Sequence, residues 1–476
     1  MNLLISLKTY KEIYTIVKKI VVDATNKLKL AFENNTYLGN IYDFPIISEN
    51  SFGPYPTFSN NFLDKGPVDY TYIFSYHDKT KVLYDSLDGY LELKNYFKLH
   101  PRIAKVFVYH FNYDKDNKIY IPFINDIIER YLTLYQDNFD EVKLKEIFLE
   151  ITRFYVSKKL KLEMWVPILL TNFQCDYFEL DNNYCIKKLN TLEQLSRCRI
   201  KYYGSGVHEL VMGLANFVLV RKNLEINLPK PHVEYSLSTF YANYFAKNEV
   251  DLYFIAQQMV CYKKSGYSQI IYNPLGWGQN YKGNLIPLSG FSIREYPDYF
   301  DDYVWLDKNN FIEINENELE EIKDLFLFFK KTESSKLKNA INRFRYCTYR
   351  TKEDDRILDA VIAMESLLDD NTQGEITFKI SLRMSYIISL FNNKINPLDT
   401  FNAMKKIYNY RSNIVHGNPM KEKDNQINYN NKNYTMNELA IELLIACIKT
   451  IRKKPELLNK FDDKMIKGFS KLNDES

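Results

Sequence analysis

The first thirty residues place apolar side chains at helical spacing, with lysines between them. The apolar positions that recur three or four residues apart are Ile13, Ile16, Val17, Ile20 and Val21. The same period returns over residues 124–160. Apolar residues at these intervals form one face of an amphipathic helix. The pattern therefore predicts a long N-terminal helix and a second helical stretch over residues 124–160.

Between and after these stretches the pattern changes. Residues 35–75 are broken by prolines, glycines and aromatic runs, which predicts loops and short strands. Met164–Leu170 is a short apolar run that predicts a buried strand, and the spacing over Glu193–Cys198 and Glu209–Arg221 predicts helices. Residues 1–310 are thus expected to form a mixed α+β region of unknown fold, compatible with two subdomains.

The clearest interruption of the pattern is Tyr272–Pro287, which is rich in glycine and proline. It predicts a long loop, within which Pro274–Gln279 is a candidate contact loop. Because the following sequence is almost continuously helical in pattern, we place a domain boundary near residue 310. The predicted domains are residues 1–310 and residues 311–476.

The helical pattern of residues 311–476 predicts an all-α bundle with short connections. Helices are expected from about Asn317 to Phe329, on to Tyr349, from Asp354 to before Gly374, over Glu375–Phe391, from Pro397 to Gly417, and over Asn437–Arg452. Gly417 has the residue type that most often follows a helix in a left-handed conformation. Residues 418–434, rich in Asn and Lys, are expected to form a loop.

Charge and cysteine usage narrow the function classes. The 63 basic and 60 acidic residues leave a formal net charge of +3, so any nucleic-acid site must be a local patch. The six cysteines contain no C-x2-C pair and the histidines lack ligand spacing, so no metal or cofactor is expected. No apolar run reaches membrane-spanning length, and Met1–Lys8 is too short for a secretory signal. We expect a cytoplasmic protein that does not bind membranes.

The sharpest candidate for chemistry is the stretch Tyr410–Gly417, which places Arg411 and His416 five residues apart at a helix end. At 100° per residue the two side chains lie about 140° apart around the helix axis. They meet at one phosphate only if Arg411 reaches around, the last turn distorts, or two chains supply the groups. The third arrangement implies a site at a symmetric dimer interface.

These residue types suit RNA cleavage without a metal ion. The neighbouring 2′-hydroxyl is the nucleophile, and a histidine near neutrality can act as general acid or base. Arginine offers paired donors to the charged phosphate, and Ser412 and Asn413 add polar groups beside it. A structural interpretation also fits the spacing, with Arg411 in a surface ion pair and His416 capping the helix.

A second feature lies in the helix Asp355–Leu368. Its apolar stripe of Leu358, Val361 and Leu368 includes Glu365, a carboxylate that should need a partner. Arg383 likewise lies among apolar residues in the following predicted helix, so we expect a Glu365–Arg383 ion pair. This pair either fixes helix packing or supports the bundle beneath the candidate site.

Three stretches together resemble the HEPN superfamily, and within it the Apea-like HEPN domain. They are DRILDAVIAMESLL (355–368), EITFKISLRMSYIISLF (375–391) and IYNYRSNIVHG (407–417), in this order. The resemblance covers roughly residues 315–455 and implies a bundle of about five helices that dimerises. It also implies that Arg411 and His416 form an R-x4-6-H ribonuclease motif, with Ser412 and Asn413 inside it. HEPN ribonucleases act without metal, often in phage defence or as toxins.

Three functions remain open from the sequence. The first is a metal-independent endoribonuclease with an RNA substrate, whose site forms in a homodimer of the C-terminal domain. The second is a non-catalytic HEPN dimer that binds RNA, a nucleotide or a partner protein. The third is a structural dimerisation domain that serves an unknown N-terminal activity.

Overall fold

The structure is a computed structural model that describes most of the chain. The described residues are 4–49, 53–61, 66–107, 121–200, 206–227, 245–302, 307–350, 352–369, 375–419, 421–458, 461–463 and 465–466.

The chain forms two compact units. The N-terminal unit comprises Met1–Phe245, Tyr267–Glu295 and Trp305–Phe311, and the C-terminal unit comprises Ala246–Gly266, Tyr296–Val304 and Ile312–Ser476. The chain therefore enters the C-terminal unit twice before it stays there from Ile312. The boundary expected near residue 310 lies close to the last of these crossings, at Ile312. The two earlier segments of the C-terminal unit, Ala246–Gly266 and Tyr296–Val304, precede that boundary in the sequence.

The N-terminal unit is mixed α/β, in agreement with the sequence prediction. Its described helices are α1 (Leu7–Glu33), α2 (Tyr90–Leu99), α3 (Pro101–Phe107), α4 (Pro122–Tyr135), α5 (Glu141–Val156), α6 (Thr191–Cys198) and α7 (Glu209–Gly213). Its described strands are β1 (Phe44–Glu49), β2 (Pro56–Asn61), β3 (Phe74–Ser75), β4 (Val82–Leu83), β5 (Lys159–Ile168), β6 (Thr171–Phe173), β7 (Tyr177–Glu179), β8 (Tyr184–Lys188), β9 (Phe217–Asn227), β10 (Tyr267–Pro274) and β11 (Ser289–Glu295).

Helix α1 confirms the amphipathic pattern of the N-terminus. The Ser6 hydroxyl accepts a hydrogen bond from the Thr9 backbone N–H, which satisfies one of the free donors at the helix start. The apolar positions predicted to form one face are all buried, and they include Ile13, Val17 and Ile20. The helix packs against α2, α4 and α5, so its buried stripe forms part of the core of this unit.

The main sheet has six strands in the order β11-β10-β5-β9-β8-β7, and every neighbouring pair is antiparallel. Strand β9 corrects the sequence prediction, which extended a helix over Glu209–Arg221. Only Glu209–Gly213 is helical. The run Phe217–Val220 is wholly buried because β9 lies in the sheet interior between β5 and β8. A short continuous apolar run does not distinguish a buried strand from a buried helix.

Arg197 joins α6 to this sheet. It is fully buried, and its guanidinium lies over the ring of Phe58. Its donors reach four neutral oxygens: Gln194 Oε1, Met212 O, Gln269 Oε1 and Ala215 O, at 2.6–2.9 Å. Burial lowers the pKa of this side chain. Because a buried acceptor left unpaired costs about 1–3 kcal/mol, these contacts make Arg197 specify how α6 packs on the sheet.

The C-terminal unit is predominantly helical, as predicted. Its described helices are α8 (Lys247–Cys261), α9 (Glu316–Lys331), α10 (Ser335–Tyr349), α11 (Glu353–Leu368), α12 (Ile376–Phe391), α13 (Pro397–Val415) and α14 (Met436–Lys453). Its described strands are β12 (Ile312–Ile314), β13 (Gln426–Tyr429) and β14 (Lys432–Thr435). Four helices, α11 to α14, pack on one another.

Helix α8 shows why the earlier segments belong to this unit. Asp251 on α8 is nearly buried and pairs with Arg345 on α10 at 2.7 Å. Glu249 on α8 lies 3.6 Å from Lys330 on α9. A buried carboxylate needs such a partner, so these ion pairs hold α8 in a defined position against the later helices.

Local capping signals set the helix starts. Helix α9 begins after Asn315, whose side chain accepts from the Glu318 N–H while Glu318 accepts from the Asn315 N–H. The predicted N-cap, Asn317, lies one residue inside the helix. Thr435 and Glu438 form the same reciprocal pair at the start of α14. Each pair satisfies two backbone donors that the helix itself leaves free.

The Asn- and Lys-rich segment predicted as a loop contains a β-hairpin. Strands β13 and β14 pair from Gln426 with Thr435 to Tyr429 with Lys432. The two turn residues, Asn430 and Asn431, both have positive φ, at 48° and 61°. Asparagine tolerates this conformation, which two-residue hairpin turns require at both positions.

Two properties concern the whole described chain. All six cysteines are free thiols. No helix in the described part of the chain is long and apolar enough to cross a membrane.

Candidate functional site

The end of α13 is a complete Schellman motif. His416 is the C-cap, and Gly417 follows with a φ of +67°. The Gly417 N–H donates to the Ile414 carbonyl at 3.1 Å, and the Asn418 N–H donates to the Asn413 carbonyl at 2.9 Å. These two bonds satisfy carbonyls that the helix leaves free. The predicted role of Gly417 is therefore confirmed, and His416 is held at a fixed helix terminus.

Asn413 contributes to this terminus through its side chain, and Ser412 contributes through its backbone. The Asn418 side-chain Nδ2 donates to Asn413 Oδ1 at 3.1 Å. The Ser412 carbonyl accepts from the His416 N–H at 3.0 Å. An amide pair thus takes the place of the apolar contact that usually accompanies this motif. Both residues keep the backbone around His416 in one geometry.

His416 itself is exposed to solvent. Within the part of the chain that the structure describes, no protein group hydrogen-bonds to its imidazole. A functional histidine needs such access, because its nitrogens must reach a proton on the substrate. His416 therefore occupies the C-cap position that the structural interpretation expects, while its imidazole remains accessible to a ligand.

Arg411 has a different environment. Its side chain is half-buried, and its Nε is buried without a hydrogen-bond partner among the described residues. No described carboxylate lies at ion-pair distance from its guanidinium, so the surface ion pair of the structural interpretation is not formed. The positive charge of Arg411 acts on Tyr408, which lies about one turn earlier on α13, and favours a lower pKa of its hydroxyl. The terminal guanidinium nitrogens likewise make no hydrogen bond among the described residues but are not buried, so they are the donors that a ligand oxygen can reach.

Tyr408 connects this helix to Glu365 on α11. The tyrosine hydroxyl donates to Glu365 Oε1. Burial and this carboxylate raise the pKa of Tyr408 above its usual range, while Arg411 acts in the opposite direction and Asp369 adds to the increase. Glu365, Asp369, Tyr408 and Arg411 therefore form one electrostatic cluster, which we call the Glu365 cluster.

The expected Glu365–Arg383 ion pair is replaced by two separate interactions. Arg383 is buried and makes a two-pronged contact with Asp462, at 2.9 Å from Nε to Oδ1 and 2.7 Å from Nη2 to Oδ2. Its Nη1 also donates to the Leu368 carbonyl at the end of α11. A cation at a helix C-terminus satisfies free carbonyls and the helix dipole. Arg383 thus anchors the end of α11, and Glu365 takes Tyr408 as its partner.

The buried carboxylate of α11 is Asp359, which the sequence interpretation missed. It is 2% exposed and accepts from Arg343 Nη1 at 2.8 Å and from Arg350 Nε at 2.6 Å. The predicted apolar stripe differs from the buried face of α11 in two ways. The helix also buries Ile357, which the stripe omits, and Leu358, which the stripe includes, is only half-buried. The seven-residue spacing of Arg343 on α10 and Arg350, the C-cap that follows it, is the signal that could have indicated a shared acid. This triad fixes α10 against α11.

The geometry separates the predicted site residues into two groups. Arg411 lies with Glu365 in the Glu365 cluster, whereas His416 lies at the helix terminus with Ser412 and Asn413. The described residues include no group of three His, Cys, Asp or Glu side chains placed to hold a metal ion. The arrangement offers an accessible acid–base group and a nearby arginine with a free donor.

Comparison with known proteins yields no match. No family model, no curated protein and no solved structure is significantly similar to this chain.

Proposed function

We propose that the C-terminal unit is a HEPN-like domain and that the chain is a metal-independent endoribonuclease acting through Arg411 and His416. The observation that carries the proposal is the exposed imidazole of His416 at a capped helix terminus, to which no described protein group hydrogen-bonds, in the sequence context RSNIVHG. The resemblance of that context to HEPN ribonucleases supports a role in phage defence or toxin-like growth arrest.

In the proposed reaction, the ribose 2′-hydroxyl attacks the adjacent phosphorus. A neutral histidine accepts the hydroxyl proton as the new P–O bond forms. The bond to the 5′-oxygen breaks, and a protonated histidine donates the proton that this oxygen needs. The products are a 2′,3′-cyclic phosphate and a 5′-hydroxyl end, so no water or metal enters the step. Arg411 binds the non-bridging oxygens, whose negative charge grows in the transition state.

The separation of Arg411 and His416 supports a site formed by two chains. The residues are about 140° apart around α13, and Arg411 is half-buried beside Tyr408. In a twofold dimer the Arg411 of each subunit can face the His416 of the other, since a twofold interface brings the same patch together twice. We therefore propose a homodimer through the C-terminal unit.

The supporting residues have defined parts in this proposal. Ser412 and Asn413 hold the terminus that carries His416. Glu365 and Tyr408 determine the electrostatic environment of Arg411, and Arg383 anchors the end of α11 from which the Glu365 cluster projects.

The first experiment measures cleavage of a mixed RNA pool in EDTA by the full chain, with DNA as the control substrate. We expect RNA cleavage that leaves 2′,3′-cyclic phosphate ends, and its loss in His416→Ala and Arg411→Ala. Lys406→Ala is the matched control, because Lys406 is an exposed cation on the same helix with no partner among the described residues. Equal cleavage by all four proteins would remove these residues from the site.

A mixing experiment tests the composite site. When His416→Ala and Arg411→Ala chains are combined, half of the randomly formed dimers are mixed, and each has one intact site. We expect recovery of about a quarter of wild-type activity, from the symmetry of a twofold interface. If the mixture stays inactive although mixed dimers form, the site lies within one chain.

The second candidate function is a non-catalytic HEPN dimer that binds RNA, a nucleotide or a partner protein. It is favoured by one observation, the half-buried position of Arg411 in the Glu365 cluster, which restricts the access of its guanidinium to a scissile phosphate. RNA binding by wild type without cleavage under any condition that supports dimerisation would favour this function.

A further inference from the structure

The N-terminal unit contains a cationic groove where α5 ends and β5 begins. The cavity has a volume of about 570 Å³. The side chains that give it its charge and polarity are Arg153, Lys158, Lys159, Lys161, Glu225 and Asn227. Four cations thus face one carboxylate, in a chain whose total net charge is only +3. Such a concentration of positive charge in a cleft attracts anions.

The sheet register places the lysines of β5 on one face. Lys159 and Lys161 are exposed, while Leu160 between them is buried, as alternation along a strand requires. Their partners on β9 are Asn227 and Glu225, respectively. These two polar side chains therefore line the same groove as the lysines.

The single carboxylate does not neutralise the groove. Glu225 lies 3.3 Å from Lys159, but both side chains remain about half or more exposed, at 47% and 64%. An exposed ion pair of this kind contributes little and exchanges readily with solvent or a ligand. Lys158 and Lys161 have no carboxylate partner among the described residues.

Arg153 is fixed in position by the loop Pro274–Gln279. Its Nη1 donates to the Gly276 carbonyl at 2.7 Å. Gly276 has a φ of +69°, and a Cβ there would lie 2.6 Å from Nη1, so a glycine is required for this approach. The Nε of Arg153 is buried and lacks an acceptor among the described residues. The Gly276 contact therefore orients the guanidinium in advance, and its Nη2, which makes no hydrogen bond among the described residues, is the donor left for a ligand.

Trp277 locks the same loop against the groove wall. Its indole N–H donates to the Lys161 carbonyl at 2.6 Å, and its ring stacks on Phe154 with the centroids 5.6 Å apart. The tryptophan is 2% exposed. A wall held by buried contacts presents its charged groups without a large ordering cost on binding.

We propose that this groove binds a small phosphorylated ligand of nucleotide size through its phosphate groups. Arginine and lysine are the side chains that recognise phosphate oxygens, and the cavity volume lies in the range of small-molecule sites. Glu225 and Asn227 provide acceptors for the hydroxyl groups of a sugar. Among the described residues, the groove lining includes no aromatic ring on which a base could stack, so we assign the affinity to the phosphates rather than to the base.

This proposal stands apart from the proposed ribonuclease. It rests on residues of the N-terminal unit alone, and its readout is ligand binding rather than RNA cleavage. Either one can fail without the other.

Titration calorimetry on the full chain tests the proposal with three probes: ATP, pyrophosphate and adenosine. We expect binding of ATP and pyrophosphate, at least tenfold weaker binding of adenosine, and weakening of ATP binding as salt rises. Arg153→Gln and Lys161→Gln should each weaken ATP binding about tenfold, the effect of one charge-assisted contact. Lys145→Gln is the control, because Lys145 is an exposed cation on α5 outside the groove.

Thermal melting separates loss of binding from loss of fold. If Arg153→Gln destabilises the unit, Lys158→Gln replaces it, because Lys158 is exposed at the groove and has no described partner to lose. Equal affinity for ATP and adenosine, absence of ATP and pyrophosphate binding at millimolar concentration, or equal effects of Lys161→Gln and Lys145→Gln would overturn the proposal. Displacement of ATP by a short RNA without terminal phosphates, at lower concentration than by pyrophosphate, would assign the groove to an RNA backbone instead.

Discussion

The end of α13 and the groove beside α5 each contain an arginine whose Nε is buried without a partner among the described residues, yet their surroundings differ in sign. Arg411 lies in a cluster with Glu365, Asp369 and Tyr408. Arg153 lies among three lysines and a single exposed carboxylate. The first environment weakens the attraction for a polyanion, whereas the second strengthens it.

The group suited to proton transfer and the positive charge suited to phosphate binding therefore lie in different regions of the molecule. The helix terminus carries an exposed histidine that can transfer protons, but Arg411 on the same helix shares the Glu365 cluster with two carboxylates. The groove carries charge suited to phosphate, but no histidine is among its described lining residues. A nuclease needs both a reacting group and binding energy that is realised in the transition state. In the C-terminal unit this energy must come from close, oriented contacts, which a second subunit can complete.

The largest expected effect is the loss of cleavage on changing His416. A general acid or base contributes about 10²- to 10⁴-fold to rate, so His416→Asn should reduce RNA cleavage by that factor while ATP binding at the groove is unchanged. The measurement is single-turnover cleavage of a labelled RNA in EDTA. His100→Asn, at an exposed histidine of the N-terminal unit, is the control. A fall of less than threefold would contradict a proton-transfer role.

A second contrast concerns the carboxylates of the two regions. Glu365 is held by a tyrosine hydroxyl, whereas Asp126 and Glu129 on α4 accept long backbone contacts, each at 3.4 Å. Burial raises the pKa of Asp126 to about 6 and that of Glu129 to about 7. For both carboxylates of α4, the folded state binds the proton more tightly than the unfolded state does.

The sign of the pH dependence follows directly. Below the unfolded pKa both states are protonated, and the stabilising contribution is fully present. As pH rises from about 4 through 6 and 7, the native state holds more protons than the unfolded state, so the free energy of unfolding falls. Glu129→Gln removes the ionisation and should stabilise the N-terminal unit at pH 8 by roughly 1–3 kcal/mol, with little gain at pH 4.

Urea unfolding followed by tryptophan fluorescence measures this effect in the relevant unit. Trp165 and Trp277 belong to the N-terminal unit, and both are buried there. Glu33→Gln, at an exposed carboxylate of α1, should leave the pH dependence as in wild type. A wild-type stability that rises between pH 5 and 8, with no gain from Glu129→Gln, would contradict the raised pKa of Glu129.

A smaller effect is expected at Gly417. No described atom lies within 4 Å of the position that a Cβ would occupy there, so Gly417→Ala tests the backbone conformation alone. Alanine at a φ of +67° should destabilise the C-terminal unit by about 1 kcal/mol, and RNA cleavage should fall as the His416 terminus loosens. Gly417→Asn should cost less, because asparagine tolerates this conformation. Equal cleavage by all three proteins would show that the Schellman motif does not position His416.

The contrast between the two regions also explains what the sequence could predict. Helix ends in the C-terminal unit were predicted to within a few residues because their signals are local, as with Gly417 after α13 and Pro397 at its start. The predicted helix Glu209–Arg221 wrongly included the start of strand β9, because the apolar run Phe217–Val220 is buried between sheet neighbours that are distant in sequence.

Partners that are distant in sequence account for two further errors. Glu365 accepts from Tyr408, 43 positions away, and Arg383 pairs with Asp462, 79 positions away. Helical periodicity places a residue on a face but does not identify the side chain opposite it. The cationic groove is assembled from residues near 153–161, 225–227 and 275–276, and no single stretch of these carries a recognisable motif.

The smallest expected effect is the most direct test of the comparison itself. Glu365→Gln keeps an acceptor for the Tyr408 hydroxyl but removes the negative charge from the Glu365 cluster. If that charge opposes phosphate binding at Arg411, RNA should bind more tightly to the Glu365→Gln chain than to the chain with Glu365. The expected gain is only severalfold, because a charge near the protein surface acts through an effective dielectric constant of about 20. Fluorescence anisotropy with a labelled RNA, using chains that also carry His416→Ala, measures binding without cleavage.

Glu333→Gln provides the control, because Glu333 is a highly exposed carboxylate in the same unit. It should change RNA affinity less than Glu365→Gln does, and both effects should shrink as salt is raised. Tighter binding that requires Arg411, and disappears in Glu365→Gln combined with Arg411→Ala, would assign the effect to this arginine. Unchanged or weaker binding in Glu365→Gln would mean that Glu365 organises the site, and the contrast in sign would then not limit phosphate affinity at α13.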